Sequence, residues 1–145
     1  MNIADCIDHS VLKADTSKAD IVQVCKEAVE HGFHAVCIPP YWVREAQKLL
    51  KGTSVKIVTV VGFPMGYAHT PAKIEESRRA MDEGANEVDW VINIIALKEG
   101  DWKYLKNELT SATTMVHMRG GLFKMVLETS LLTEKEIKEI CKLSA

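Results

Sequence analysis

The 145-residue sequence predicts an α/β protein with parallel strands, organised as about five β/α units of a (β/α)8, or TIM, barrel. Three observations lead there. Strand-like and helix-like segments alternate along the chain across short loops, the pattern of a parallel sheet with crossover helices. Three of the strand-like segments carry apolar residues at every second position and polar ones between them: Asp8 and Ser10 within 7–12, Asp89 and Asn93 within 87–93, Lys124 and Glu128 within 123–128. Side chains alternate across a strand with period two, whereas parallel strands covered by helices on both faces read as nearly continuous apolar runs. Charges turned away from the helix layer therefore line a polar interior. Finally, one strand–helix unit takes roughly 30 residues and a complete eightfold barrel about 250, so this chain holds about five units.

Each element has its own signal. The first strand is expected at 7–12, with Ile7 and Val11 on the face opposite Asp8 and Ser10. Ser17 and Asp20 resemble a capping box that opens a helix carrying Ile21, Val24, Cys25, Ala28 and Val29 at helical spacing, and Gly32 stands where a C-terminal glycine belongs. The second strand, 34–38, stops at Pro39 and Pro40 and leads into a helix over 41–50. The β-branched third strand, 56–61, runs into Gly62-Phe63-Pro64-Met65-Gly66. Thr70 is expected to cap a third helix with Pro71 at its first position, closed by Gly84. The fourth strand is 87–93 and a helix covers 101–118. Gly120 and Gly121 precede the fifth strand at 123–128. Thr133 and Glu136 open a last helix with Ile137, Ile140 and Cys141.

The length suits a single domain, 1–145, with a core of its own. A net charge of -2 gives no electrostatic reason to expect nucleic acid or an acidic membrane surface as partner. No apolar run approaches a membrane span, and the first residues lack the layout of a signal peptide. Four scattered cysteines, Cys6, Cys25, Cys37 and Cys141, without a C-x-x-C pair, fit reduced thiols in a cytoplasmic protein. No compact Cys/His cluster proposes a metal site. No Gly-x-Gly-x-x-Gly follows the first strand and no P-loop is present, so nothing supports a nucleotide cofactor.

Asp89 and Lys124 are the leading candidates for chemistry. They fall on adjacent strands and the same face, where a lysine beside a carboxylate can shuttle protons. The same pairing also describes a structural ion pair that neutralises two buried charges. Asp8 and Ser10 lie on the first strand, as site residues or as partners of neighbouring loops. Cys37 is either a reactive thiol or a small core residue. Gly62–Gly66 ends a strand where a ligand can approach the backbone, or makes a plain turn.

Five segments, in this order, resemble the deoxyribose-phosphate aldolases over essentially the whole chain. They are Ile7-Asp8-His9-Ser10-Val11-Leu12-Lys13, Val36-Cys37-Ile38-Pro39-Pro40, Val61-Gly62-Phe63-Pro64-Met65-Gly66, Gly84-Ala85-Asn86-Glu87-Val88-Asp89 and Lys124-Met125-Val126-Leu127-Glu128-Thr129. Ser10 replaces the usual threonine and keeps the hydroxyl. The resemblance implies a class I aldolase that needs no metal or other cofactor. The family interconverts 2-deoxyribose 5-phosphate with glyceraldehyde 3-phosphate and acetaldehyde through a lysine Schiff base. It implies that Asp89 relays protons, that Lys124 sits in the site, and that Asp8, Ser10 and Cys37 line it. The family's Schiff-base lysine belongs to a Lys-Thr-Ser-Thr-Gly motif on the sixth strand, and these 145 residues stop short of it, as they do of a second lysine and the phosphate-binding loops. The expectation is an acid/base half-site whose two open sheet edges drive self-association or assembly with a C-terminal half. The partners expected are a small aldehyde or sugar phosphate. The alternatives are a non-catalytic α/β module that binds sugar phosphate and self-associates or pairs with an aldolase chain, and a structural remnant without a function of its own.

Overall fold

Among the described residues, five parallel strands form one sheet in the order of the sequence, and six α-helices pack on its outer face. The computed structural model describes residues 2–143. The strands are β1 (Asp8–Ser10), β2 (Ala35–Ile38), β3 (Lys56–Val61), β4 (Glu87–Val91) and β5 (Leu122–Val126). Between and after them lie α1 (Lys18–His31), α2 (Val43–Leu49), α3 (Thr70–Glu83), α4 (Ile94–Lys98), α5 (Trp102–Met118) and α6 (Glu134–Leu143).

The two faces of the sheet differ as the alternation requires. Val36, Ile38 and Ile57 pack against the buried stripe of α1, with Ile21, Val24, Cys25 and Ala28, and against α2. Val88 and Trp90 pack under Ala112 and Val116 of α5. The opposite face carries a small apolar cluster, Ala35, Cys37, Val58 and Val60. Beside it stand the polar side chains of β1, β4 and β5, and the register Asp89↔Lys124 sets those of β4 and β5 side by side.

That inner face is strongly concave. In a flat sheet, four inter-strand spacings of about 4.8 Å would separate β1 from β5 by roughly 19 Å. Lys124 on β5 instead contacts Asp8 on β1 directly, Nζ to Oδ2 at 2.7 Å, and no pair of side chains of that size bridges 19 Å. The five strands keep barrel curvature.

Local signals explain the helix ends. At α1 the Ser17 hydroxyl accepts from the Asp20 amide at 3.3 Å while the Asp20 carboxylate accepts from the Ser17 amide at 2.8 Å. Gly32 then takes φ 66°, the left-handed conformation that ends a helix without a Cβ clash.

Four expectations need correction. β1 spans only Asp8–Ser10 rather than 7–12, and Ile7 closes a 3₁₀ turn before it. Thr70 is the first residue of α3 rather than its cap, and His69 takes the cap position. β4 ends at Val91, and Asn93 leaves Asp89's face to cap α4, its side chain accepting from the Ala96 amide at 3.1 Å. Glu128 lies beyond β5 with φ 53°, so it does not share the face of Lys124.

Candidate active site

Lys124 is the centre of the inner face. Two strands, β1 and β4, direct three carboxylates at its ammonium: Asp8 Oδ2 at 2.7 Å, Glu87 Oε2 at 3.1 Å and Asp89 Oδ1 at 3.1 Å. Period-two geometry puts Glu87 and Asp89 on one side of β4, and the parallel register sets Asp89 beside Lys124. The curvature supplies Asp8.

The electrostatics follow from this crowding. Burial works against the charge of Lys124, but the Asp8, Asp89 and Glu87 carboxylates outweigh it and hold the amine above the ordinary lysine range. Burial pushes Asp89 above the usual carboxylate range against the pull of Lys124, and the charge of Asp8 adds to the rise. Asp89 Oδ1 is buried and touches the ammonium without accepting an aligned hydrogen bond. It is a carboxylate disposed to take up a proton.

Cys37 stands on the other side of Asp89 and donates its S–H toward Oδ2 at 3.8 Å. Burial and the neighbouring Asp89 charge raise its thiol to about 12. Of the two readings of Cys37, the geometry favours a protonated thiol in the wall over a reactive thiolate. Ser10 pairs in register with Cys37, and its hydroxyl donates to its own strand at Asp8 O, 3.0 Å. The structure thus gathers Asp8, Ser10, Cys37, Asp89 and Lys124 on one concave face.

Residues outside the sequence candidates complete the arrangement. Glu87 is buried and bridges Lys124 to His34, whose Nε2 donates to Oε1 at 2.7 Å. Its position two residues before Asp89 was the available signal. Behind β4, Lys73 and Glu108 form a fully buried pair at 3.0 Å. Lys73 Nζ also donates to Val91 O at 2.7 Å and to Gly66 O at 3.1 Å. It thereby ties the end of β4 to the glycine turn after β3. Lys73 shares a helical stripe with Ser77 and Ala80, which would have marked it as inward-facing. That turn is tightly confined: at Gly66 (φ 70°) a Cβ would lie 1.9 Å from Ile92 O. Beside it, at the carboxyl ends of β1 to β3, a cavity of about 550 Å³ is lined by Lys13, Pro39, Trp42, Phe63 and Glu76. A cleft of about 600 Å³ between α2 and α3, edged by Arg44, Glu45 and Glu83, lies on the outside and away from Lys124.

Comparison with known proteins agrees with this architecture. The family described as DeoC/LacD family aldolase matches residues 3–139. The chain belongs to this family. Among curated relatives, the deoxyribose-phosphate aldolase of Thermococcus gammatolerans is 43% identical over 146 residues, covering 99% of this chain and 65% of the relative. That of a Geobacillus species is 46% identical over 144 residues, covering 99% and 64%. A crystal structure of a putative deoxyribose-phosphate aldolase from Coccidioides immitis superposes with a TM-score of 0.94 at 37% identity, covering 98% of this chain and 55% of that one. The deoxyribose phosphate aldolase of Aeropyrum pernix, described as a tetramer, superposes with a TM-score of 0.90 at 25% identity, covering 98% and 59%. This DeoC/LacD chain therefore spans about 65% of the curated relatives it matches.

Proposed function

We propose that these residues form the acid/base half of a Schiff-base aldolase site that acts on 2-deoxyribose 5-phosphate. The observation that carries the reading is the Lys124 ammonium seated among Asp8, Glu87 and Asp89 on the concave face of a family member. In such a reaction an amine forms a Schiff base with the aldehyde, the imine draws electrons as the carbon–carbon bond breaks, and protons must leave one oxygen and arrive at a carbon. Asp89, raised in proton affinity by burial, takes up and returns these protons. Lys124 supplies the positive charge that keeps the carboxylates together, and Asp8, Ser10 and Cys37 form the wall around the reacting atoms.

A nucleophilic amine must be neutral, and the carboxylates around Lys124 favour its charged form. The nucleophile in this reading is a lysine outside these 145 residues, on strands that continue the barrel from β5 toward β1. Those strands would come from a longer chain or a separate C-terminal partner; pairing of two copies through the same edges is the other way to cover them. The scattered cysteines are in keeping with a cytoplasmic setting. The test is complementation: the 145-residue chain, alone and co-expressed with the C-terminal third of the Thermococcus relative, is assayed for aldehyde release from 2-deoxyribose 5-phosphate. Release only in the complemented sample, lost in Asp89→Asn, is the expected result. Turnover by the chain alone that survives Asp89→Asn would overturn the proposal.

A further inference from the structure

The Lys124 cluster has a second way out to solvent, at the end of the sheet opposite the glycine turn. His34 immediately precedes β2, its side chain is 38% exposed, and its Nε2 donates to Glu87 Oε1 at 2.7 Å. The other oxygen of the same carboxylate, Oε2, lies 3.1 Å from Lys124 Nζ. From there the ammonium reaches Asp8 at 2.7 Å and Asp89 at 3.1 Å. One continuous chain of ion-pair and hydrogen-bond contacts thus runs from a solvent-facing imidazole, through one buried carboxylate, to the amine and to Asp89.

We propose that His34 is a positioning residue for the carboxylate–lysine cluster, acting through Glu87 and setting the charge that Glu87 presents to Lys124. The inference needs only this geometry and holds whether or not the cluster serves aldol chemistry. Three carboxylates and one ammonium leave two negative charges uncompensated. A neutral His34 donates one N–H to Glu87 and leaves its charge to Lys124. When His34 takes a proton from solvent, Glu87 is shared between two cations, and one of the two excess charges is compensated. Proton affinity at Asp89 and Lys124 then falls, because positive charge near either site favours proton loss. Imidazole is the side chain whose ordinary charge change falls between about pH 5 and 8.

Glu87 comes from β4, with Lys124 of β5 behind it. Lys56 opens β3, where its amide bonds to His34 O, and Asp5 lies in the 3₁₀ turn whose Ala4 carbonyl accepts from the His34 amide. A built-in control is present as well. His9 makes a similar contact, Nε2 to Glu27 Oε2 at 2.6 Å, but on the outer face, where Glu27 leads to Gln23 and not to the cluster.

The test is a site-resolved NMR titration of the intact chain from pH 5 to 8. It follows the His34 ring, the Lys124 side-chain Cε and the Asp89 carboxyl carbon, in wild type, His34→Gln and His9→Gln. Glutamine keeps a donor toward Glu87 and removes the titrating charge. In wild type and His9→Gln, the Lys124 and Asp89 signals should show an inflection at the midpoint of the His34 ring. In His34→Gln that inflection should be lost. No inflection in wild type, or one that persists unchanged in His34→Gln, would overturn the proposal. The wild-type measurement decides it without reference to the folding of any variant.

Discussion

Replacing Lys124 with methionine keeps most of the side-chain volume and removes the ammonium from three carboxylates that it holds at 2.7 to 3.1 Å. Removing one partner of a fully buried pair costs about 3–5 kcal/mol, because the remaining charge is left uncompensated. Lys124 and Asp8 are 31% and 30% exposed, so solvent screens part of the loss, whereas Glu87 is only 7% exposed. The expected destabilisation at pH 7.5 is about 2–3 kcal/mol after that discount. The sign of the pH dependence is the sharper part. In the variant the three carboxylates repel one another, so their folded-state proton affinities lie above the unfolded values. Stability from such groups is present below the unfolded carboxylate range and lost as pH rises through the folded values. The penalty should therefore shrink to less than half at pH 4.5. Urea unfolding of both proteins at the two pH values measures this, with a midpoint shift of about 1–2 M expected at pH 7.5. A loss below about 0.5 kcal/mol, or one equal at both pH values, would refute the electrostatic argument.

Other substitutions report on the supporting structure. Lys73→Met should cost about 3–5 kcal/mol in chemical unfolding, since both Lys73 and Glu108 are fully buried, and Lys73→Met with Glu108→Leu should recover most of that loss. Equal loss in single and double variants would mean that the pair is not the source. Burial beside Asp89 pushes the Cys37 thiol up to about 12, so alkylation at pH 8 should run far slower in the folded chain than in the unfolded one; comparable rates would contradict its burial beside Asp89. Gly66→Ala places a Cβ 1.9 Å from a carbonyl oxygen and should lower the thermal midpoint by several degrees more than Gly120→Ala. Gly120 has similar φ, 72°, with nothing near its Cβ, and an equal effect at both sites would leave conformational strain alone as the cause.

Much of this arrangement was legible because a strand's period of two is rigid. Alternation alone places Asp8 and Ser10, and likewise Asp89 and Lys124, on the face turned from the helices, and the register sets Asp89 directly beside Lys124. What failed were strand ends. Asn93 and Glu128 continued the alternation in sequence, but Asn93 satisfies the first turn of α4 and Glu128 turns into a left-handed conformation. Local competition of this kind is decided by backbone hydrogen bonds that periodicity does not encode. Glu87 was missed although it obeys the same period, since a charge at a strand's first residue also reads as its exposed start. The contact between Asp8 and Lys124 spans 116 positions and depends on sheet curvature, which no local pattern carries. His34 and the Lys73–Glu108 pair were hidden for a related reason: each becomes meaningful only through a partner on a distant element.

The central claim is that Lys124 is a charged partner of the acid/base residues and not the nucleophile. Borohydride trapping with acetaldehyde at neutral pH, read by intact mass and peptide mapping, tests it most directly. The account predicts no adduct at Lys124 in this chain. A reduced adduct that maps to Lys124 and disappears in Lys124→Ala would contradict it, and would make the cluster a nucleophilic site in its own right.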